Sequence, residues 1–248
     1  MGAIEEFLNR FMSQRWGDLL LLHYPADPFI IQKSLPDDLV VDTHLNQAWF
    51  SVVAFRLTDL RIRPLTWLRW KDFLEVNLRT YVRDRFGNRG VWFYSLDSND
   101  PFGVVGAQVL YGLRYNFARI GREGSKEQKC FAYCSERPSG ASARIEGGWH
   151  AHDDPDKSED QLDQFLLERY RFWAKRPGQK SSSSAFVRHQ PYETLPLRDC
   201  KYQGELFSSQ GFTEPENGPE RAHYCPGFSV EATAPSWMYS ISGQANQR

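Results

Sequence analysis

Residues 74–83 carry the densest set of chemically useful side chains in the sequence. They alternate strictly: Leu74, Val76, Leu78 and Val82 take one face of a strand, and Glu75, Asn77, Arg79 and Tyr81 take the other. A carboxylate and a guanidinium on one face could do acid–base work or receive the carboxylate of a ligand, for which arginine offers a two-pronged fork. The same pair could also be a plain ion pair on a solvated face. His189, in VRHQPY, is a second candidate acid or base near neutral pH, or simply the end of a strand. His23 follows four leucines and reads as a hydrogen-bonded core histidine. His150-x-His152-Asp153-Asp154 has metal-ligating residue types but lies in a polar, glycine-flanked loop, so no metal is expected. Arg61, Arg63, Arg69 and Lys71 surround Trp67 and Trp70, a mixture that can stack on nucleobases. A loop covering the end of a barrel explains it as well. There is no G-x-S-x-G, no phosphate-cradling glycine loop and no H-E-x-x-H, and no cofactor is expected.

The elements that must position these residues can be read in part. Residues 91–96 form an aromatic, β-branched strand. Asp100 then stands at a helix N-cap with Pro101 in the first turn, and Gly112 stands at the C-terminal stop. Between them, Gly103, Gly106 and Ala107 suggest that the helix packs closely on another backbone, since an interior glycine costs about 1 kcal/mol relative to alanine. A single returning strand is expected over 113–120, with Tyr115 and Arg119 on one face.

Elsewhere, Ile4, Phe7, Leu8, Phe11 and Met12 predict a helix ended by Gly17, and a buried strand follows over 18–24. Asp27-Pro28 opens a short helix. Strands over 40–42 and 48–57 are expected to pair around a turn at 43–47, with an irregular loop over 58–71. Further strands fall near 129–136, 141–146, 185–189, 193–207 and 228–233. Ser158-x-x-Gln161 predicts a capping box for a helix carrying Leu162, Phe165, Leu166, Tyr170 and Trp173. From Ser236 a tail is expected.

With 248 residues, 41% hydrophobic and 15% aromatic, the chain can bury a substantial core. The net charge of −1 gives no support to a nucleic-acid or anionic-membrane partner. Four cysteines without a C-x-x-C pair fit reduced thiols, and the N-terminus lacks signal-peptide order, so a cytoplasmic protein is expected. No run approaches a membrane span. Many strands with few helices predict an α+β, mostly antiparallel, barrel-like domain with two or three docked helices.

Several stretches in order, including LLLLHYPADP (19–28), AWFSVVAFR (48–56), EVNLRTYVRD (75–84), VWFYSLD (91–97) and HYCPGFSVEA (223–232), resemble the YqjF-like family of uncharacterised bacterial proteins. That family is related in fold to acetoacetate decarboxylase. The resemblance implies a cone-shaped β-barrel over residues 1–235 as one domain, with 236–248 as tail. It also places Glu75 where the decarboxylase has a functional glutamate, and turns the Glu75–Arg79 face toward the lumen, where the two would pair. The decarboxylase forms an imine on a lysine within Gly-aromatic-Pro-Lys-Lys-aliphatic-Ala. Laid on residues 112–118, that motif puts Tyr115 and Asn116 at the lysine positions, and no lysine occurs between Lys71 and Lys126. Neither residue can form an imine. The expectation is a pocket, bordered by Glu75, Arg79, Tyr115, Asn116, Arg119 and His189, that takes a small organic acid or apolar ligand without Schiff-base chemistry. The alternative is a lyase or hydrolase using Glu75 as acid or base. A homo-oligomer is compatible with either.

Overall fold

The computed structural model describes residues 10–67, 70–150 and 160–238. The first half runs β1 (Met12–Ala26), α1 (Pro28–Ser34), β2 (Leu39–Val41), β3 (Ala48–Ile62), β4 (Phe73–Asp84), β5 (Arg89–Ser98) and α2 (Pro101–Tyr111). Then follow β6 (Tyr115–Phe117), β7 (Arg119–Ser125), β8 (Cys130–Glu136), β9 (Ser142–Gly148) and α3 (Gln161–Leu167). The chain closes with β10 (Arg171–Ala174), β11 (Ser183–His189), β12 (Leu195–Pro196), β13 (Arg198–Gly204) and β14 (Arg221–Ala232).

Seven strands close on themselves in the order β4-β3-β1-β14-β11-β10-β5, with β5 returning to β4. Every neighbour in this ring is antiparallel except β10 on β5. A second, four-stranded antiparallel sheet, β13-β9-β8-β7, lies against the outside. Alternation along β1 explains how both sheets are served. Leu20 and Leu22 pack outward with Phe131, Tyr133 and Ile145 of the smaller sheet. Leu19 and Leu21 pack on the other side with Val53, Phe55 and Phe73. The α+β barrel expected from the sequence is the architecture observed.

The helix signals hold at their starts. Asp27 accepts from the Phe29 amide at 2.8 Å. Asp100 accepts from Phe102 and Gly103 at 3.3 and 3.0 Å, and Gly112 turns left-handed at φ 74°. Among the described residues no helix is long and apolar enough to cross a membrane.

Several boundaries differ from the sequence reading. Met12 opens β1 as strand, and most of the predicted N-terminal helix lies outside the described residues. β2 pairs with β4, not with β3, because β4 is long enough to offer its edge beyond the end of β3. β3 continues through Ile62 into the expected loop, and Arg69 lies outside the described residues. α3 is capped by Asp160, accepting from the Leu162 amide at 2.8 Å, and it stops at Leu167. Phe172 and Trp173 instead pair with Val91 and Trp92 of β5. The unpaired edge of β5 demands hydrogen bonds there, and that demand overrides the helical spacing. Residues 113–120 and 193–207 each divide between the two sheets instead of forming one strand.

Candidate functional site

A cavity of about 140 Å³ occupies the bore. All seven ring strands contribute to its wall, through residues such as Leu19, Val53, Leu96, Phe172, Val187 and Ala232. α2 adds Gly103, Gly106, Ala107 and Leu110, and the segment before β4 adds Trp70. The helix glycines therefore do not serve close backbone packing. A Cβ built on Gly106 meets nothing within 4 Å, and one on Gly103 meets only the Asp100 carboxylate. Trp70 donates its indole N–H to Asp100, the cap of that same helix.

Against this apolar wall stand a few polar groups. β4 turns Glu75, Asn77 and Arg79 inward, and β6 adds Tyr115. The face that alternation alone could not orient is the lumenal one, with Glu75 4% exposed. Its carboxylate accepts the Tyr115 hydroxyl at 2.6 Å and the Asn77 amide at 3.0 Å. Burial raises the Glu75 pKa to about 7, against the opposing pull of those two hydrogen bonds and the nearby Arg79 charge. Burial, with the Glu75 charge beside it, holds the Tyr115 hydroxyl protonated well above its usual range. Glu75 can thus exchange a proton near neutrality from the wall of the cavity.

Arg79 is 6% exposed, and its Nε and Nη2 have no hydrogen-bond partner. The expected Glu75–Arg79 ion pair does not form, because Tyr115 and Asn77 satisfy the carboxylate. A buried guanidinium with unmet donors is costly and is ordinarily compensated by an anion or water.

The other sequence candidates do not line this cavity, although His189 packs edge-on against Tyr192, which does. Asn116 is half-buried and reaches toward Asp97 at 3.5 Å. Arg119 is exposed at the start of β7, since the chain leaves the barrel sheet at Ala118. His189 ends β11 stacked between Tyr170 and Phe228 at 4.6 and 4.7 Å, with its pKa lowered by burial. His150 is described, but the rest of its motif is not. No lysine lines the cavity among the described residues, and Lys201 is exposed on β13.

Two polar networks escaped the sequence reading. Asp97 accepts from Ser135 at 2.9 Å and from the Arg137 Nε at 2.7 Å, tying β5 to the smaller sheet. His23 bonds Ser51 at 2.7 Å and His223 at 3.3 Å, and His223 reaches Asp163 at 3.2 Å. The core reading of His23 therefore holds, but its partners come from segments that no local spacing could reveal.

Residues 13–229 match a family described as an uncharacterised conserved protein, DUF2071. The uncharacterised protein YqjF of Bacillus subtilis (strain 168) is 32% identical over 210 residues, covering 84% of this chain and 85% of that one. Among solved structures, acetoacetate decarboxylase from Legionella pneumophila superposes with a TM-score of 0.59 at 13% identity, covering 91% of this chain and 86% of that one. The enduracididine biosynthesis enzyme MppR, solved with pyruvate, gives 0.59 at 11%, covering 92% and 89%. An acetoacetate decarboxylase-like enzyme from Sphingomonas wittichii RW1 gives 0.58 at 14%, covering 95% and 97%. At such identities the structural likeness speaks for the fold alone, whereas the sequence matches span most of the chain: the protein belongs to the DUF2071 family of uncharacterised conserved proteins, and its barrel is of the acetoacetate decarboxylase-like type.

Proposed function

We propose that the protein binds a small organic acid in the barrel cavity, with Arg79 receiving the carboxylate and no imine being formed. One observation carries this reading: a guanidinium 6% exposed, on the wall of the cavity, with two N–H donors unmet. A carboxylate would satisfy both donors at once and neutralise the charge once the Arg79 side chain turns these atoms, closed to solvent as they stand, toward the cavity. The volume agrees, since an apolar cavity of about 150 Å³ accommodates benzene. The structural neighbour solved with pyruvate lends support by analogy. Isothermal titration against a panel of carboxylates tests it. Binding is expected in the wild type and loss of about tenfold or more in Arg79→Met, the scale for removing a partner of a charged hydrogen bond. A panel without a single binder overturns the reading.

The absence of a lysine from the wall has its own test. Borohydride added with acetoacetate should leave the protein mass unchanged, and a trapped adduct would mean that some amine reaches the cavity.

A second reading is enzymatic: Glu75 acts as general acid or base on a bound carboxylate or enol, with Arg79 orienting it. The Glu75 pKa of about 7 favours this reading, because proton transfer is most effective when the pKa lies near the working pH. Turnover that survives Glu75→Gln would remove Glu75 from that role.

A further inference from the structure

Resting on that carboxylate reading, we infer that the acid is a monocarboxylate with a short apolar body, and that Gly106 of α2 sets how bulky that body can be. The wall decides the first part. Arg79 is the one cation on it among the described residues, so a second carboxylate would find no second cation to neutralise it there. Most of what remains is aromatic or aliphatic, including Phe55, Phe73, Phe93 and Leu113.

The helix decides the second part. Phe102, Gly103, Gly106, Ala107 and Leu110 recur at helical spacing and all line the cavity, Phe102 with much of its ring exposed, whereas Val105 and Val109 on the other side are exposed and do not reach it. An ordinary helix would press an apolar ridge into the bore at this point. Here the middle of that ridge, Gly103, Gly106 and Ala107, is cut down to hydrogen and methyl. A Cβ on Gly106 would meet open space, so the room is there for a side chain and none fills it. Its φ is not left-handed, so the backbone does not call for glycine. An interior helix glycine that the backbone does not require, facing a cavity that holds an unpartnered guanidinium, is explained by the volume it leaves to a ligand.

The experiment is titration of straight-chain acids from acetate to octanoate, benzoate, and the dicarboxylates succinate and glutarate, into wild type, Gly106→Ala and Gly106→Leu. In wild type, monocarboxylates should bind more tightly than dicarboxylates of equal length. In Gly106→Leu, the ratio of Kd for the bulkiest accepted acid to Kd for acetate should rise about tenfold or more, the scale of excess methylenes in an apolar pocket. Gly106→Ala should move it in the same direction by less, and it serves alone if the leucine variant does not fold. Acids that bind with an unchanged ratio in both variants, or dicarboxylates that bind better, overturn this inference and leave the carboxylate site standing. No acid binding at any size overturns the underlying site and this inference with it.

Discussion

Glu75 has a raised pKa, and its consequence for stability has a definite sign. A carboxyl whose folded pKa stands near 7, above its ordinary 4.5, binds more protons folded than unfolded between those values. Its contribution therefore falls as pH rises through that window and is unfavourable above it, by about 3 kcal/mol. Glu75→Gln removes the titration while keeping one acceptor oxygen, enough for Tyr115. The variant should gain on wild type by up to that amount between pH 4.5 and 7, as read by urea unfolding at pH 5 and pH 8. A constant difference across the range would show that Glu75 stays ionised. At this scale the sequence was partly legible. Period-two alternation placed Glu75, Asn77 and Arg79 on one face. It did not reveal that Tyr115, 40 residues on, would take the carboxylate and leave Arg79 unpaired. Arg119 was misplaced for a related reason: the strand assumed to carry it breaks at Ala118, where the chain crosses to the other sheet.

At the scale of elements, α2 is both a wall of the cavity and the anchor of the segment in front of β4. Its cap, Asp100, holds two amides of the first turn and accepts the Trp70 indole. Asp100→Ala should cost about 1 kcal/mol for the cap, and more for the freed indole N–H. Asp100→Asn, a comparable cap, should recover most of it in thermal denaturation. The start and end of α2 were legible because Asp-Pro and Gly act through local backbone geometry. The purpose of its glycines was not. Small residues on a helix face signal either close contact or empty space, and only the packed neighbours distinguish the two. α3 teaches the converse. Tyr170 and Trp173 continue its apolar spacing, yet the chain from Arg171 becomes β10 to satisfy β5.

At the scale of the molecule, the two sheets share an apolar core and a buried polar joint. Asp97 of β5, Ser135 of β8 and Arg137 just beyond it form that joint, and Arg137 is 8% exposed. Asp97→Ala should cost about 3–5 kcal/mol, since it strands a buried guanidinium. Urea unfolding of that variant against the Asp97→Ala/Arg137→Met double variant would separate the stranded charge from lost packing. Near-equal stability of Asp97→Ala and wild type would mean that water reaches Arg137. The sequence by itself determined which segments alternate as strands, where the Asp-Pro caps begin helices, and that residues 72–125 hold no lysine. Those properties are local: they depend on neighbours a few positions away. Only the tertiary structure decided that the Glu75–Arg79 face points into the bore, which strands flank it, and which groups satisfy its charges. A strand has two faces of equal geometry, and the closure of β5 onto β4 and β10 makes one of them the inside.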